Sequence, residues 1–199
     1  MTAARSKLTT YLVLFRGINV GGKNKVPMGD LKALLTELGF QDVRTYIQSG
    51  NAVLRSELAA DTIARRIESA LPGRFRLDSE LIRVLVLARA DVEAAIDNRP
   101  KGFGDQPGTY HSDAIFLMDV DAAAAMTAFS PKEGVDAVWP GEGLIYSQRL
   151  SAQRTKSRLG RIASSPHYKS MTIRSWQTTT ALMDLVRAVD DGEAEGGTA

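Results

Sequence analysis

The order of hydrophobic patterns in the first 90 residues limits the fold more than any other feature of this sequence. Residues 11–15 are all apolar, which is typical of a strand buried on both faces. Two strand-like segments follow later, at 43–47 and 52–55, and a further strand is predicted at 81–87. Helical stripes with spacing i, i+3, i+4, i+7 or i, i+4, i+7, i+8 separate these strands: Leu31, Leu34, Leu35 and Leu38, then Ile63, Ile67, Ala70 and Leu71. Strand, helix, strand, strand, helix, strand is the order of the ferredoxin-like split βαβ fold.

The ends of these first elements are marked by turn residues. Pro27 and Asp30 suit the first turn of the first helix, and Gly39 suits its end. The second helix is expected to end at Pro72 and Gly73. Residues 48–51, with the sequence Gln-Ser-Gly-Asn, either close a hairpin or form a bulge at Gly50 within one strand.

The same order of elements largely recurs after residue 110. An apolar strand at 114–118 precedes an alanine-rich helix that begins at Asp119 or Asp121. Strands at 135–139 and 144–147 form a hairpin around Pro140-Gly-Glu-Gly143. A basic helix is predicted at 155–163 with its buried side at Leu159 and Ile162, and a final helix carries the stripe Leu182, Leu185, Val186 and Val189 with Thr178 or Thr179 as its cap.

These patterns predict an α+β fold of two tandem ferredoxin-like halves with antiparallel sheets and a C-terminal helix. The halves are assigned to residues 1–98 and 110–189, because the linker between them, 99–109, is rich in Pro and Gly. Residues 190–199 are charged and Gly-rich without aromatic residues, which predicts a disordered acidic tail.

Composition narrows the classes of function. With 44% hydrophobic and 24% charged residues and no long apolar run, the chain has the composition of a soluble globular protein and no membrane partner is expected. It has no cysteine and two histidines, so neither a structural metal nor another cofactor is expected. The first ten residues have no apolar segment typical of a secretory signal, which favours a cytoplasmic location.

The loop after the first strand, RGINVGGKNKVP at 16–27, is the main candidate for a binding site. Its glycines can turn the backbone and direct amides at an anion, and its cations add charge near a helix N-terminus, which suits a small anionic or nucleotide-like ligand. The candidate residues are Arg16, Gly17, Asn19, Gly21, Gly22, Lys23 and Lys25. The spacing matches neither the P-loop nor the Gly-x-Gly-x-x-Gly motif. The alternative is a tight connection in which the glycines serve backbone geometry alone.

Two further segments contain candidate ligand contacts. Ser49 and Asn51 lie between two strands, where they either bind a ligand or satisfy their own turn. If the halves fold as predicted, this segment and the 16–27 loop lie at the same face. Arg174 and Trp176 offer a cation beside an aromatic surface; the alternative is that Trp176 anchors the last helix on the core.

The distribution of charge gives a second class of function. Residues 143–183 contain seven Lys and Arg and no acidic residue, so the basic 149–174 region could bind RNA or single-stranded DNA. The alternative is a solvated surface. An enzyme that uses Arg, Lys and Asn is a third hypothesis, because His111 and His167 lie in no nucleophile motif.

Three motifs resemble a known bacterial family. RGINVGG with VPM behind it, TYIQSGN, and TIRSW near the end of the chain are similar to segments of the family named domain of unknown function 1697. The resemblance covers about residues 11–185. It implies a two-part α+β fold with ferredoxin-like topology and no particular activity. Where the family usually has Arg-Asn-Trp, this chain has Arg174-Ser175-Trp176.

Overall fold

The computed structural model of the protein describes residues 8–78 and 82–192. Contacts divide the chain into two units. The first contains the residues up to Val92 and those from Leu182 onward, and the second contains Glu93–Ala181. The sequence-based boundaries at residues 98 and 109 stay a prediction. Of the predicted disordered tail, residues 193–199 lie outside the described part of the chain.

The first unit has one antiparallel sheet with the strand order β2-β3-β1-β4. Its elements are β1 (Thr9–Arg16), α1 (Met28–Glu37), β2 (Gln41–Thr45), β3 (Asn51–Ser56), α2 (Ala60–Arg74) and β4 (Arg83–Ala88). Segment 46–50 connects β2 to β3 as a hairpin loop, so the hairpin and not the single bulged strand is correct.

The core of the first unit is built from the predicted stripes. Alternate residues of β1 pack against both helices, and the side chains involved include Tyr11, Val13, Phe15, Leu31, Leu35, Ile63 and Ile67. Helix α2 continues through Pro72 and ends at Arg74, one residue beyond the predicted end at Pro72 and Gly73. The amide of Phe75 donates to the carbonyl of Leu71, which closes the last turn.

The second unit repeats the strand order of the first, but different elements pack on its sheet. Helix α3 (Arg89–Asp97) leads into β5 (Tyr110–Leu117), α4 (Ala122–Met126), β6 (Asp136–Pro140), β7 (Leu144–Leu150), β8 (Met171–Ser175) and α5 (Trp176–Asp190). Its antiparallel sheet has the order β6-β7-β5-β8, the same as the first sheet with each strand number raised by four. The predicted fold class, two ferredoxin-like halves with antiparallel sheets and a C-terminal helix, is confirmed.

The predicted basic helix at 155–163 was wrong. Its place is taken by three short 3-10 helices, called here the 3-10 segment: Ser151–Lys156, Leu159–Ser164 and Pro166–Ser170. Leu159 and Ile162 are nevertheless buried, as predicted. The structure also identifies two helix caps. Asp121 caps α4 by accepting from the amide of Ala124. Ser175, not Thr178 or Thr179, caps α5, because its hydroxyl accepts from the amide of Thr178 in the first turn.

Candidate functional site

The loop between β1 and α1 contains a tight two-residue turn. Gly21 and Gly22 have φ angles of 59° and 78°, and the amide of Lys23 donates to the carbonyl of Val20 at 3.0 Å. Positive φ at both central residues defines a type I′ turn, which favours glycine at both positions. Within the described part of the chain, the amides of Gly21 and Gly22 have no hydrogen-bond acceptor.

Asn19 and Asn24 hold the loop in this conformation. The side chain of Asn19 donates to the carbonyl of Val26 at 2.8 Å and accepts from the amide of Val26 at 2.8 Å. Asn24, 5% exposed, donates to the carbonyl of Gly17 at 2.7 Å and exchanges two hydrogen bonds with Asp78. Because their polar atoms are used in hydrogen bonds within the protein, these asparagines position the backbone. Asn24 was not among the residues predicted from the sequence. The available signal was an asparagine close to two glycines, because asparagine tolerates a positive φ such as the 47° found here.

The 46–50 loop packs against this loop. The side chain of Asn19 donates to the carbonyl of Gln48 at 2.9 Å, and the amide of Phe15 donates to the carbonyl of Gly50 at 2.9 Å. Asn51 is fully buried and donates to the carbonyl of Tyr46 and to the hydroxyl of Ser49, both at 3.0 Å. The prediction that the two loops lie at the same face of the first unit is therefore confirmed.

The two loops present both charge and apolar surface to solvent. Lys23 and Lys25 are exposed, whereas Arg16 is half-buried. Val20 is 65% exposed and Ile47 is 50% exposed. Val20 follows Asn19 and Ile47 precedes Gln48, and a hydrogen bond joins Asn19 to Gln48. We call Val20, Lys23, Lys25 and Ile47 the loop surface.

Ile47 has an unusual backbone for its residue type. Its φ is 45°. A β-branched side chain is disfavoured in this left-handed region, at a cost of roughly 1–3 kcal/mol. The side chain is half exposed, so burial offsets little of this strain.

The second pair of candidates lies in the second unit. Trp176 is 8% exposed and packs edge-to-face against Phe103, with ring centroids 5.0 Å apart. Arg174 is 6% exposed, and its guanidinium donates to the hydroxyl of Thr172 and to the carbonyl of Ile173. Burial lowers the pKa of Arg174 to about 10. Both side chains have contacts within the protein, and a ligand contact for either stays a prediction.

The 3-10 segment carries the exposed part of the predicted basic region. Its solvent-exposed basic side chains are Arg154, Lys156, Arg158, Arg161 and Lys169. Among residues 8–78 and 82–192, no group of three or more His, Asp and Glu side chains can hold a metal ion. No helix in the same ranges is long and apolar enough to span a bilayer.

The repeated topology and the paired loops define an α+β protein of two ferredoxin-like units. A family model described as protein of unknown function, DUF1697, matches residues 8–146, and the chain belongs to this family. The predicted family membership is thereby confirmed, although the TIRSW motif near the end of the chain lies outside the matched residues.

One solved structure is similar over nearly its whole length. It is the conserved bacterial protein SP0830 from Streptococcus pneumoniae, with 25% identity and a TM-score of 0.73, and the match covers 90% of this chain and 99% of that one. No curated protein matches the chain.

Proposed function

We propose that the protein binds a small anionic ligand that also carries an apolar or aromatic group, such as a nucleotide, at the loop surface. The observation that carries this proposal is the exposure of Val20 and Ile47 on the same paired loops as Lys23 and Lys25. The cations suit a phosphate, and the aliphatic side chains suit a ring. The predicted cytoplasmic location stays a prediction.

The internal hydrogen bonds of the loops support this proposal. Asn19, Asn24 and Asn51 hold the loops before any ligand arrives, so little conformational entropy is lost on binding. The amides of Gly21 and Gly22 have no acceptor within the described residues and are exposed, as donors to an anion must be.

A thermal shift assay with inorganic phosphate and nucleoside mono-, di- and triphosphates tests the proposal. A ligand at 100 times its Kd stabilises the folded state by about 2.7 kcal/mol. The double variant Lys23→Gln/Lys25→Gln is expected to lose this shift. The matched control is Lys101→Gln/Lys169→Gln, which removes the same charge from two exposed lysines of the second unit. Absence of a shift from every compound, or an equal shift in both double variants, would contradict the proposal.

Ile47→Asn tests the apolar part of the site separately. Asparagine tolerates the left-handed backbone of residue 47. The fold should therefore be retained while nucleotides bind less tightly and inorganic phosphate is unaffected. If nucleotides bind this variant as tightly as the wild type, the aliphatic side chain has no role in binding.

The exposed cations of the 3-10 segment support a second candidate, binding of RNA or single-stranded DNA. Affinity for a single strand should fall with salt, with a slope of about −0.7 in log K against log salt for each phosphate contacted. Arg154→Gln/Lys156→Gln/Arg161→Gln should reduce that slope by about 2, as measured by gel shift over a salt series. Lys23→Gln/Lys25→Gln is the control. Affinity that is independent of salt would exclude this function.

An enzyme that works without His or Cys nucleophile chemistry stays a prediction. Binding of a nucleotide without its turnover would support a purely binding role for the loop surface. Release of phosphate during the same incubation, lost in Lys23→Gln/Lys25→Gln, would instead support the enzyme.

A further inference from the structure

A polar row interrupts the apolar face of the second sheet. This face carries Ile115, Ile145 and Ile173, which lie side by side on β5, β7 and β8. Two positions along β5, Asp113 lies opposite Ser147 on one side and Ser175 on the other. A cavity of about 130 Å³ opens here between the sheet and the 3-10 segment.

The first unit carries different residues at the equivalent position of its sheet. The equivalent position lies on β1 in one sheet and on β5 in the other. It is three residues before the residue that pairs with the first residue of β3 or β7, and it pairs with the last residue of β4 or β8. In the first unit that residue is Tyr11, whose neighbours are Leu54 and Ala88; in the second it is Asp113. Tyr11 and Leu54 are 8% and 0% exposed. Thus a tyrosine ring and a leucine in one unit correspond to a carboxylate and a hydroxyl, Asp113 and Ser147, in the other.

The polar atoms at the cavity are incompletely satisfied by the protein. One oxygen of Asp113, Oδ1, lies 3.1 Å from Nε2 of His111, but Oδ2 lies 3.7 Å from Nη1 of Arg149, too far for a hydrogen bond. Ser147 is 2% exposed, and its hydroxyl has no hydrogen-bond partner in the part of the chain that the structure describes. Both residues line the cavity, so these oxygens are available to bind a ligand or ordered water there.

The charges at the cavity are of both signs. Burial raises the pKa of Asp113, an effect that the charges of His111 and Arg149 partly oppose. Asp113 can accept from an ammonium group, and Arg149 can donate to a carboxylate. The remaining wall is apolar and includes Leu159 and Ile162.

We infer that this cavity is a second binding site, for a small zwitterion with an aliphatic side chain, that is, a free amino acid. The ammonium group is held by Asp113, the carboxylate by Arg149, and the hydroxyl of Ser147 bonds either group. The aliphatic side chain packs against Leu159 and Ile162. Since the site lies wholly within the second unit, it is independent of the loop surface.

Three compounds with the same branched carbon skeleton separate the charges: L-valine, isobutylamine and 3-methylbutanoate. In a ¹H–¹⁵N NMR titration of the wild-type protein, L-valine is expected to shift the amides of Gly160 and Ala163, which line the cavity, but not that of Gly134, which does not. Isobutylamine and 3-methylbutanoate should bind at least about tenfold more weakly, because each lacks one charged hydrogen-bonding group. Unchanged Gly160 and Ala163 amides, or equal binding of the amine and L-valine, would overturn the inference.

Substitutions test the same site by thermal shift with L-valine. Asp113→Asn and Arg149→Gln should each weaken binding about tenfold or more, whereas Arg154→Gln, an exposed arginine of the 3-10 segment, should not change it. Ser147→Leu introduces the residue that the first unit carries at Leu54. This variant should melt at a higher temperature than the wild type and lose the shift with L-valine. If Ser147→Leu retains the shift, the ligand lies elsewhere; if it fails to fold, the wild-type titration decides.

Discussion

At the scale of single residues, backbone strain and side-chain exposure coincide at Ile47. Its φ of 45° is unfavourable for a β-branched residue, and half of the side chain is exposed. The 46–50 loop keeps this conformation because its ends are tied by the Phe15–Gly50 and Tyr46–Asn51 backbone hydrogen bonds. The strain is therefore imposed by the surrounding loop and is not offset by core packing.

We predict that Ile47→Gly stabilises the protein by about 0.5–1 kcal/mol. Glycine removes the left-handed strain, and this gain exceeds the conformational entropy that glycine adds to the unfolded chain. Urea unfolding measures the change. Val20→Gly, at an exposed position of the loop surface whose φ is not positive, is the control and should destabilise by about 0.5 kcal/mol. A loss of stability in Ile47→Gly would show that its exposed side chain packs more favourably than its exposure indicates.

Gly104 allows Trp176 to pack close to the backbone. A Cβ atom at residue 104 would overlap the indole ring, whereas one at Gly102 would meet open space. Both glycines have similar φ angles, 80° and 82°. The indole also packs edge-to-face against Phe103 and Tyr146, so it cannot easily move away.

Gly104→Ala is expected to destabilise the protein by about 3 kcal/mol and Gly102→Ala by about 1 kcal/mol. Both substitutions place alanine at a positive φ, which destabilises each variant. Gly104→Ala also overpacks its side chain against Trp176, which accounts for its larger loss of stability. Urea unfolding of the two variants measures this difference, and tryptophan fluorescence reports the displaced ring. Equal losses would mean that the ring can be repositioned without cost.

At the scale of elements, the end of helix α5 is fixed by one carboxylate. Asp190 accepts from the hydroxyl of Thr10 on β1 at 2.6 Å and from the guanidinium of Arg89 at 2.6 Å. The hydrogen bond from Thr10 is the largest cause that holds the pKa of Asp190 below its usual value, and Arg89 lowers the pKa further. Since the folded-state pKa is lowered, this carboxylate stabilises the protein above its unfolded pKa.

We predict that Asp190→Asn destabilises the protein by about 1 kcal/mol at pH 7. The difference from wild type should shrink as the pH falls from about 3.8, the unfolded value, through the lower folded-state pKa, because the wild-type carboxylate becomes protonated over that range. Urea unfolding at pH 7 and pH 3 gives the two differences. Asp184→Asn is the control, because its side chain is 78% exposed and its pair with Arg187 is long at 3.9 Å. An Asp190→Asn effect that is constant with pH would contradict the assigned role of the charge.

The elements that the sequence predicted correctly are those in which apolar residues recur at regular spacing over a long segment. The stripes at Leu31–Leu35 and Ile63–Leu71 required only helical spacing. Strand β8 was not predicted, because it has five residues and its fourth, Arg174, is charged yet buried. Pro72 was taken as a stop signal, but it lies near the end of α2, where its missing N–H removes one hydrogen bond and only two helical residues follow it. Leu159 and Ile162 in the 3-10 segment have a spacing that fits either an α-helix or a 3-10 helix. Two apolar residues are too few to distinguish these two helix types.

The candidate site was predicted less well than the fold, for a physical reason. The motif residues Asn19 and Asn51 can donate to a ligand or to the chain, and the sequence does not say which carbonyls lie nearby. In the structure these are Val26 and Gln48 for Asn19 and Tyr46 for Asn51. The cavity beside Asp113 could not be predicted, because it depends on strand register between β5 and β7.

At the scale of the whole molecule, the chain is a topological repeat whose first unit is completed by its last residues. Both sheets have the same strand order, but the two are covered differently: α2 lies on the first, and the 3-10 segment on the second. The residues from Leu182 onward belong to the unit that contains β1. Leu182 and Val186 are fully buried, and Asp190 binds Thr10.

A truncation after Ala181 should therefore destabilise the first unit more than the second, although the deleted residues follow the second in sequence. Hydrogen exchange by NMR or mass spectrometry resolves the two sheets. Amides of β1 and β3 are expected to exchange faster by tenfold or more, and those of β5 and β7 to change less, since their sheet lies in the other unit. Truncation after Gly192 is the control, because it keeps Leu182, Val186 and Asp190, and it should leave exchange in both sheets unchanged. If truncation after Ala181 instead accelerated exchange in β5 and β7 first, the last helix would stabilise mainly the unit from which it begins.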